Sequence, residues 1–420
     1  MVDIARPSGE GSLVPRRAIL FAFVTGCVFA DWSPPQSPAR PDAAPADATP
    51  DATPADATPD AAPACAQRAV RALVVSHNPY ACVVRCDGAV RCWGRNDRAQ
   101  LGRGVTSPSE SPGAVPTLGE ATLVAAGFDH ACAWDGVLRC WGDNSFGMLG
   151  SGTRDNSPNP GAVMGLPAPV VSVAGGGVHT CAVLGTGEVW CWGDGSRAQL
   201  GDDTRAMRSR PTRVAGLPGP AVEVVAGQYH TCARLRSGDV ACWGQATYGT
   251  LGDGTFNDRG APGLVPLRAA AVDLATTVNH ACVALEDGSA WCWGYNDQGQ
   301  LGDATRATRA TPVPVAGVRD ARLVATGGDH ACAALRDGSV RCWGGNGHGQ
   351  LGDGTTTRRA TPVTVAGLDA PVVALAAGTS FTCAALEDGR VMCWGANNEG
   401  QLGVGGSDDR LTPVEVPLSP

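Results

Sequence analysis

The chain has 420 residues, with 17 cysteines, 57 glycines, 31 prolines, 17% charged residues and a formal net charge of -8; every one of its 32 basic residues is an arginine. The acidic balance argues against broad binding to nucleic acid or to anionic membrane surfaces. The glycine and proline content indicates many turns rather than disorder.

Arg16 and Arg17 precede a short apolar run, Ala18 to Val24. The run is too short to span a bilayer as a mature helix, but charged-then-apolar is the order of an export signal, so residues 1–30 are read as one. Val24-Thr25-Gly26-Cys27 looks like a bacterial lipobox, in which Cys27 is lipidated and becomes the new N-terminus. Plain cleavage after Ala30 is the alternative, because Val28-Phe29-Ala30 also places a small residue at the cut. Residues 31–65 contain PADATPDATPADATPDAAP, with nothing to bury and repeated proline and aspartate, and are expected to form an extended, solvated tether. At ~3.1 Å per residue such a tether reaches up to ~100 Å.

From residue 66 onward one unit recurs seven times: a Cys, a short apolar run, a turn, a second Cys, Trp-Gly and then Leu-Gly. The second cysteines are Cys92, Cys140, Cys191, Cys242, Cys292, Cys342 and Cys393, at intervals of 48, 51, 51, 50, 50 and 51 residues. A period of that size is the signature of a repeat architecture. The apolar runs are short, rich in Val, Ala and Trp, and bounded by Gly, Asp and Pro, so they read as strands, four per unit. No apolar period of 3.6 persists for three turns, which nearly excludes helix. A lone four-stranded sheet leaves its faces bare, and radial stacking covers them. The fold class is therefore all-β, a seven-bladed propeller of four-stranded antiparallel blades at about 66–118, 119–168, 169–219, 220–268, 269–319, 320–369 and 370–420.

The central hairpin of the unit carries a register. In Leu285-Glu286-Asp287-Gly288-Ser289 the glycine stands where a three-residue loop needs a left-handed residue. That loop pairs Leu285 with Ser289 and, counting outward, Cys282 with Cys292 at a non-hydrogen-bonded site, where side chains approach nearly to disulfide distance. The same gap predicts Cys82–Cys92, Cys181–Cys191, Cys232–Cys242, Cys332–Cys342 and Cys383–Cys393. Cys132 and Cys140 enclose two residues fewer, so the register argument is weaker in the second unit. Removing Cys27 leaves Cys65 and Cys86 for an eighth bridge, an even count that suits an oxidising compartment.

Units such as GGDHACAALRDGSVRCWGGNGHGQLGDGT, residues 327–355, resemble repeats of the regulator of chromosome condensation family, and the likeness covers all seven units. It implies a seven-bladed propeller. The founder of that family exchanges nucleotide on a nuclear GTPase and binds chromatin, while other members inhibit enzymes or scaffold partners, so the likeness fixes the fold and leaves the function open.

Three constellations invite chemistry. His130, His179, His230, His280 and His330 each precede a cysteine by two residues and share its strand face, as zinc ligands would. Tyr80 and Phe381 fill the same place in the outer units, so the position wants a packed ring, and no metal site or general base is expected. The seven Trp-Gly indoles suit the gap between stacked sheets, and Asp-Gly-Thr after Leu-Gly suits a turn rather than a calcium loop. Arginines gather in the long loop that follows: Arg205, Arg208, Arg210, Arg306, Arg309, Arg358 and Arg359, with Arg154, Arg259 and Arg410 in matching loops. Equivalent loops share one rim, which makes these arginines a candidate surface for an acidic protein.

The sequence thus describes an exported, lipid-anchored, monomeric, non-catalytic binding or scaffolding propeller at the cell envelope. A protein partner and membrane attachment through lipid alone are expected, and no cofactor or nucleic acid partner is. The alternatives are an inhibitor of an extracellular enzyme, a polysaccharide-binding or polysaccharide-cleaving surface protein, and a nucleotide-exchange factor. Cleavage would require a nucleophile or carboxylate pair private to one or two blades, and no unit shows one on comparison of the repeat motifs.

Overall fold

The structure, a computed structural model, describes residues 70–418. They form 28 strands in seven sheets, each holding four consecutive strands in chain order, and no helix occurs among the described residues. Blade 4 is representative. Its strands, numbered 1 to 4 from the axis outward, are Ala221–Ala226, His230–Leu235, Val240–Gly244 and Arg259–Leu264, each antiparallel to the next.

Burial follows position in the blade. Strand 2 is covered on both sides and its six residues are all buried in blade 4, which is why this segment reads as a continuous apolar run rather than an alternation. Strand 4 is an open edge and is built from Arg, Thr and Pro, half-exposed. In blade 5 Cys292 pairs with Val313 and Gly294 with Arg309, so residues 310–312, including Pro312, fall in a bulge where a missing N–H costs no ladder bond.

The hairpin register is the expected one. The Leu285 amide donates to Ser289 and the Gly288 amide, at φ 79°, to Leu285. Cys282 stands opposite Cys292 with 4.1 Å between Cα atoms, and the two are bonded. The other six hairpins are bridged in the same way. The short second hairpin keeps its bridge because it loses one residue from each strand: Trp134 faces Leu138, and Cys132 still faces Cys140. Symmetric loss leaves the side-chain alternation intact. Cys86 is also disulfide-bonded. Its expected partner Cys65, the export signal, the lipobox at Cys27 and the tether all lie outside the described residues.

Blades are joined by tryptophan. The Trp293 Nε1 of blade 5 donates to the Thr250 carbonyl of blade 4 at 2.9 Å, and Trp141, Trp192, Trp243, Trp343 and Trp394 repeat the bond to the preceding blade. Each acceptor stands just before a Leu-Gly pair, whose glycine has a left-handed φ and lies against the indole. A Cβ on Gly302 would come within 2.8 Å of Trp343. In blade 4 the bridge Cys232–Cys242 and Leu251 share one apolar cluster with Trp293 of blade 5. The two halves of the motif, Trp-Gly and Leu-Gly, therefore complete one another only across an interface.

The ring closes by this same device. The last strand, Arg410–Glu415, completes its own blade, and Val70–Val75 completes blade 1, so no strand is exchanged. Trp93 donates to the Gln401 carbonyl at 3.0 Å, and Val70, Leu73 and Trp93 pack with Phe381, Leu402 and Val416.

Candidate functional site

The recurring histidines are structural. His130, His179 and His330 place Nε2 at 2.8 Å from Thr180, Thr231 and Thr382 of the following blade. Each of those hydroxyls donates to a main-chain carbonyl, of Met148, Gln199 and Gln350 respectively, the same carbonyl that the tryptophan uses. A hydroxyl has one proton, so it must accept from the imidazole. These rings are therefore neutral Nε2–H tautomers, with Nδ1 buried and without a partner. Burial holds them neutral, with pKa values lowered to about 4 for His130 and about 3 for His179 and His330. His230 turns instead to Thr276 at 2.6 Å, because the next blade has Ala281 in place of the threonine. Tyr80 reaches the His130 carbonyl with its hydroxyl, while Phe381 faces Ala81 in blade 1, where no acceptor is needed. Among the described residues no group of three or more His, Cys, Asp or Glu is placed to hold a metal ion.

The arginine loops lie on the rim that also carries the turns between strands 1 and 2, since His230, at the start of strand 2, pairs with Gly244, at the end of strand 3. The arginines divide into two groups. Arg208, Arg309 and Arg359 each bind the aspartate of their own Leu-Gly-Asp turn: Arg208 Nη2 reaches Asp202 at 2.9 Å, Arg309 Asp303 at 3.3 Å and Arg359 Asp353 at 3.3 Å. Burial would raise the Asp303 carboxyl, but the Thr305 hydroxyl and amide, Asn296 and Arg309 together hold it below its ordinary value. These arginines brace the loop. Arg205, Arg210, Arg306 and Arg358 are exposed. Of these, Arg205 stands 4.0 Å from Asp258 of the next blade, Arg306 donates to the Asp297 carbonyl, and Arg358 reaches Gln298 of the preceding blade at 3.0 Å. In the last blade Val404 replaces the turn aspartate, and Arg410 is exposed.

The rim also carries aromatic residues that the repeat pattern did not single out. Tyr248 and Tyr295, from blades 4 and 5, meet with ring centroids 4.7 Å apart, and Phe256, in the same loop as Tyr248, is 55% exposed. Comparing the seven loops residue by residue would reveal them, since no other blade has tyrosine at either place.

The second feature missed from sequence lies on the axis. The first strands enclose a channel of about 980 Å³, walled mainly by Val, Ala and Leu. At one level of this wall the seven equivalent residues are Ala72, Leu123, Ser172, Glu223, Asp273, Leu323 and Ala374. Two neighbouring blades thus hold private carboxylates, which corrects the expectation that none do. Motif comparison overlooked them because strand 1 lies outside the Cys-Trp-Gly core of the repeat. Glu223 Oε2 pairs with Arg234 Nε at 2.6 Å, both buried. Asp273 accepts the Val324 amide of blade 6 at 2.7 Å. Burial pushes the Glu223 carboxyl up against the opposing pull of Arg234; burial, then the charge of Glu223, pushes Asp273 well up.

The comparisons with known proteins agree with this geometry. A family model for the RCC1-like domain matches residues 49–369, and RCC1 repeat models match 372–401 and 388–420. The ultraviolet-B receptor UVR8 of Arabidopsis thaliana is 30% identical over 209 residues, 48% of this chain and 47% of its own length. The human E3 ubiquitin-protein ligase HERC2 is 36% identical over 96 residues, 23% of this chain but 2% of the ligase, so its activity does not transfer with the match. In structure the chain is similar to human WBSCR16, with TM-score 0.72, 23% identity, and 78% of this chain and 93% of that one covered. It is also similar to yeast RCC1, Prp20, solved bound to Kap60, with TM-score 0.70, 22% identity and coverage of 78% and 83%. At that identity the structural likeness speaks for the fold alone. With a match over most of its length, seven bridged blades and Trp-Gly and Leu-Gly meeting at every interface, the chain belongs to the RCC1-like propeller family.

Proposed function

We propose that this chain is a non-catalytic protein-binding propeller, exported and held at the bacterial cell envelope through a lipid on Cys27, with the arginine-bearing rim as its contact surface. The observation that carries the reading is the set of seven bridges, one per blade, which suits an oxidising compartment. A rigid ring that presents variable loops is a surface suited to recognition. The yeast relative bound to Kap60, and Prp20p with its binding properties to Gsp1p and histones, support a protein partner rather than a small substrate. Among the described residues no helix is long and apolar enough to cross a membrane. The exposed Arg205, Arg210, Arg306 and Arg358 would bind an acidic partner, while Arg208, Arg309 and Arg359 hold the loops in shape.

Two measurements test this. Palmitate labelling and envelope fractionation of the full chain should give a lipidated, membrane-bound product that Cys27→Ala releases; a cytoplasmic, unlabelled product defeats the export reading. Cross-linked capture from the envelope fraction should yield a partner that R205S/R210S/R306S/R358S loses. Equal capture by both forms removes the rim from the proposal.

A further inference from the structure

The axial channel has carboxylates on two adjacent blades at the level where the other five blades have Ala, Leu or Ser. Glu223 is 1% exposed, its Oε2 is taken by Arg234, and its Oε1 has no hydrogen-bond partner. Asp273 stands on the adjacent blade and lines the same wall. Ser172, on the blade before, accepts the Val224 amide through its hydroxyl and contributes no charge. Arg322, on the blade after, donates Nε to the Leu335 carbonyl at 3.3 Å. Arg322 also lines the channel, but Arg234 is the cation that acts on both carboxyls, so with both ionised two negative groups share that guanidinium inside a wall of Val224, Val225, Leu274 and Ala275. An uncompensated charge in such surroundings is costly, and a bound cation or a proton relieves it.

We propose that this arc of the channel is a binding site for a small organic ammonium, whose N–H groups donate to Glu223 Oε1 and to Asp273 while its hydrocarbon part lies on the valine and alanine wall. The chemistry favours an organic cation over a metal ion. Two carboxylates under the charge of one guanidinium are a poor metal set, and apolar walls add affinity only for a ligand with carbon to bury. At about 980 Å³ the channel has the size of ordinary small-molecule sites, mostly apolar with a few convergent polar groups. The inference is independent of export and of the rim.

The test uses the purified full chain in calorimetric and thermal-shift titrations with hexylammonium chloride, 1-hexanol, and sodium or potassium chloride at matched ionic strength. Hexylammonium should bind saturably and raise the melting temperature, with 1-hexanol at least about ten-fold weaker and the alkali salts without effect. Glu223→Gln keeps an acceptor for Arg234 but removes the charge, and should weaken hexylammonium at least about ten-fold. Should that variant fail to fold, Asp273→Asn provides the same reading. Equal binding of hexanol and hexylammonium, an equal shift with alkali cations, or unchanged affinity in the folded variant overturns the site.

Discussion

The interlock of Leu-Gly with the next blade's tryptophan can be measured by replacing two glycines that share a backbone conformation. Gly302 has φ 66° and Gly317 has φ 68°. A Cβ on Gly302 would meet Trp343 Cδ1 and Nε1 at 2.8 Å, whereas a Cβ on Gly317 would meet nothing within 4 Å. Both Gly→Ala changes incur the left-handed cost, about 1–2 kcal/mol. Only Gly302→Ala must also push the indole away, an overpacking cost of about 1–3 kcal/mol. The same shift weakens the Trp343-to-Gln300 hydrogen bond, worth about 1 kcal/mol. Gly302→Ala should therefore be the more destabilising of the two by about 2–4 kcal/mol. Urea unfolding of both variants with disulfides intact, followed by tryptophan fluorescence, gives the comparison. Equal midpoints and slopes would mean that the close approach is not a constraint, and the account of how blades are joined would fail.

Three further outcomes follow from the interfaces. Ala331 occupies the place of Thr180, Thr231 and Thr382, and the ring of His280 opposite it has no side-chain partner; Ala331→Thr should supply an acceptor and stabilise by about 1 kcal/mol in the same urea assay, and a loss of stability would show that the threonine relay does not fit there. The buried histidines have folded pKa values below the ordinary 6.5, so the unfolded chain binds more protons and stability should decline as pH falls from 6.5 towards 3 or 4. For His330, lowered to about 3, the loss at pH 5 is about 2 kcal/mol; His330→Phe, the ring that blade 7 uses, should flatten the stability curve between pH 7 and 5, and an unchanged slope refutes the assignment. The cysteines of the seven hairpin bridges are 0–1% exposed, so dithiothreitol followed by alkylation and mass spectrometry should leave these seven bridges intact in the native protein and label their cysteines only in denaturant. Labelling of the native chain would show that the blades open far more readily than the packing implies.

The number and order of the strands, the hairpin register and the pairing of Cys282 with Cys292 were legible in the sequence, because a turn of known geometry fixes which residues face each other and alternation carries that register outward. The stacking of seven like units was legible for a similar reason: a repeat with two apolar faces cannot stand alone. That the Trp-Gly indoles fill the gap between blades was legible too, but the group each one meets there was not, since Trp293 and the Thr250 carbonyl are 43 residues apart and nothing local in either segment refers to the other. Likewise the arginine column of the loops looked uniform until the folded loop tied Arg309 to Asp303 and left Arg306 exposed. Glu223, Arg234 and Asp273 were scattered polar residues on three strands. Glu223 and Arg234 face each other across one strand pair, and stacking of blade 5 on blade 4 sets Asp273, which holds the same place one repeat later, beside them on the channel wall; which equivalent positions of a repeat turn towards a shared cavity is a property of packing and has no trace in local pattern.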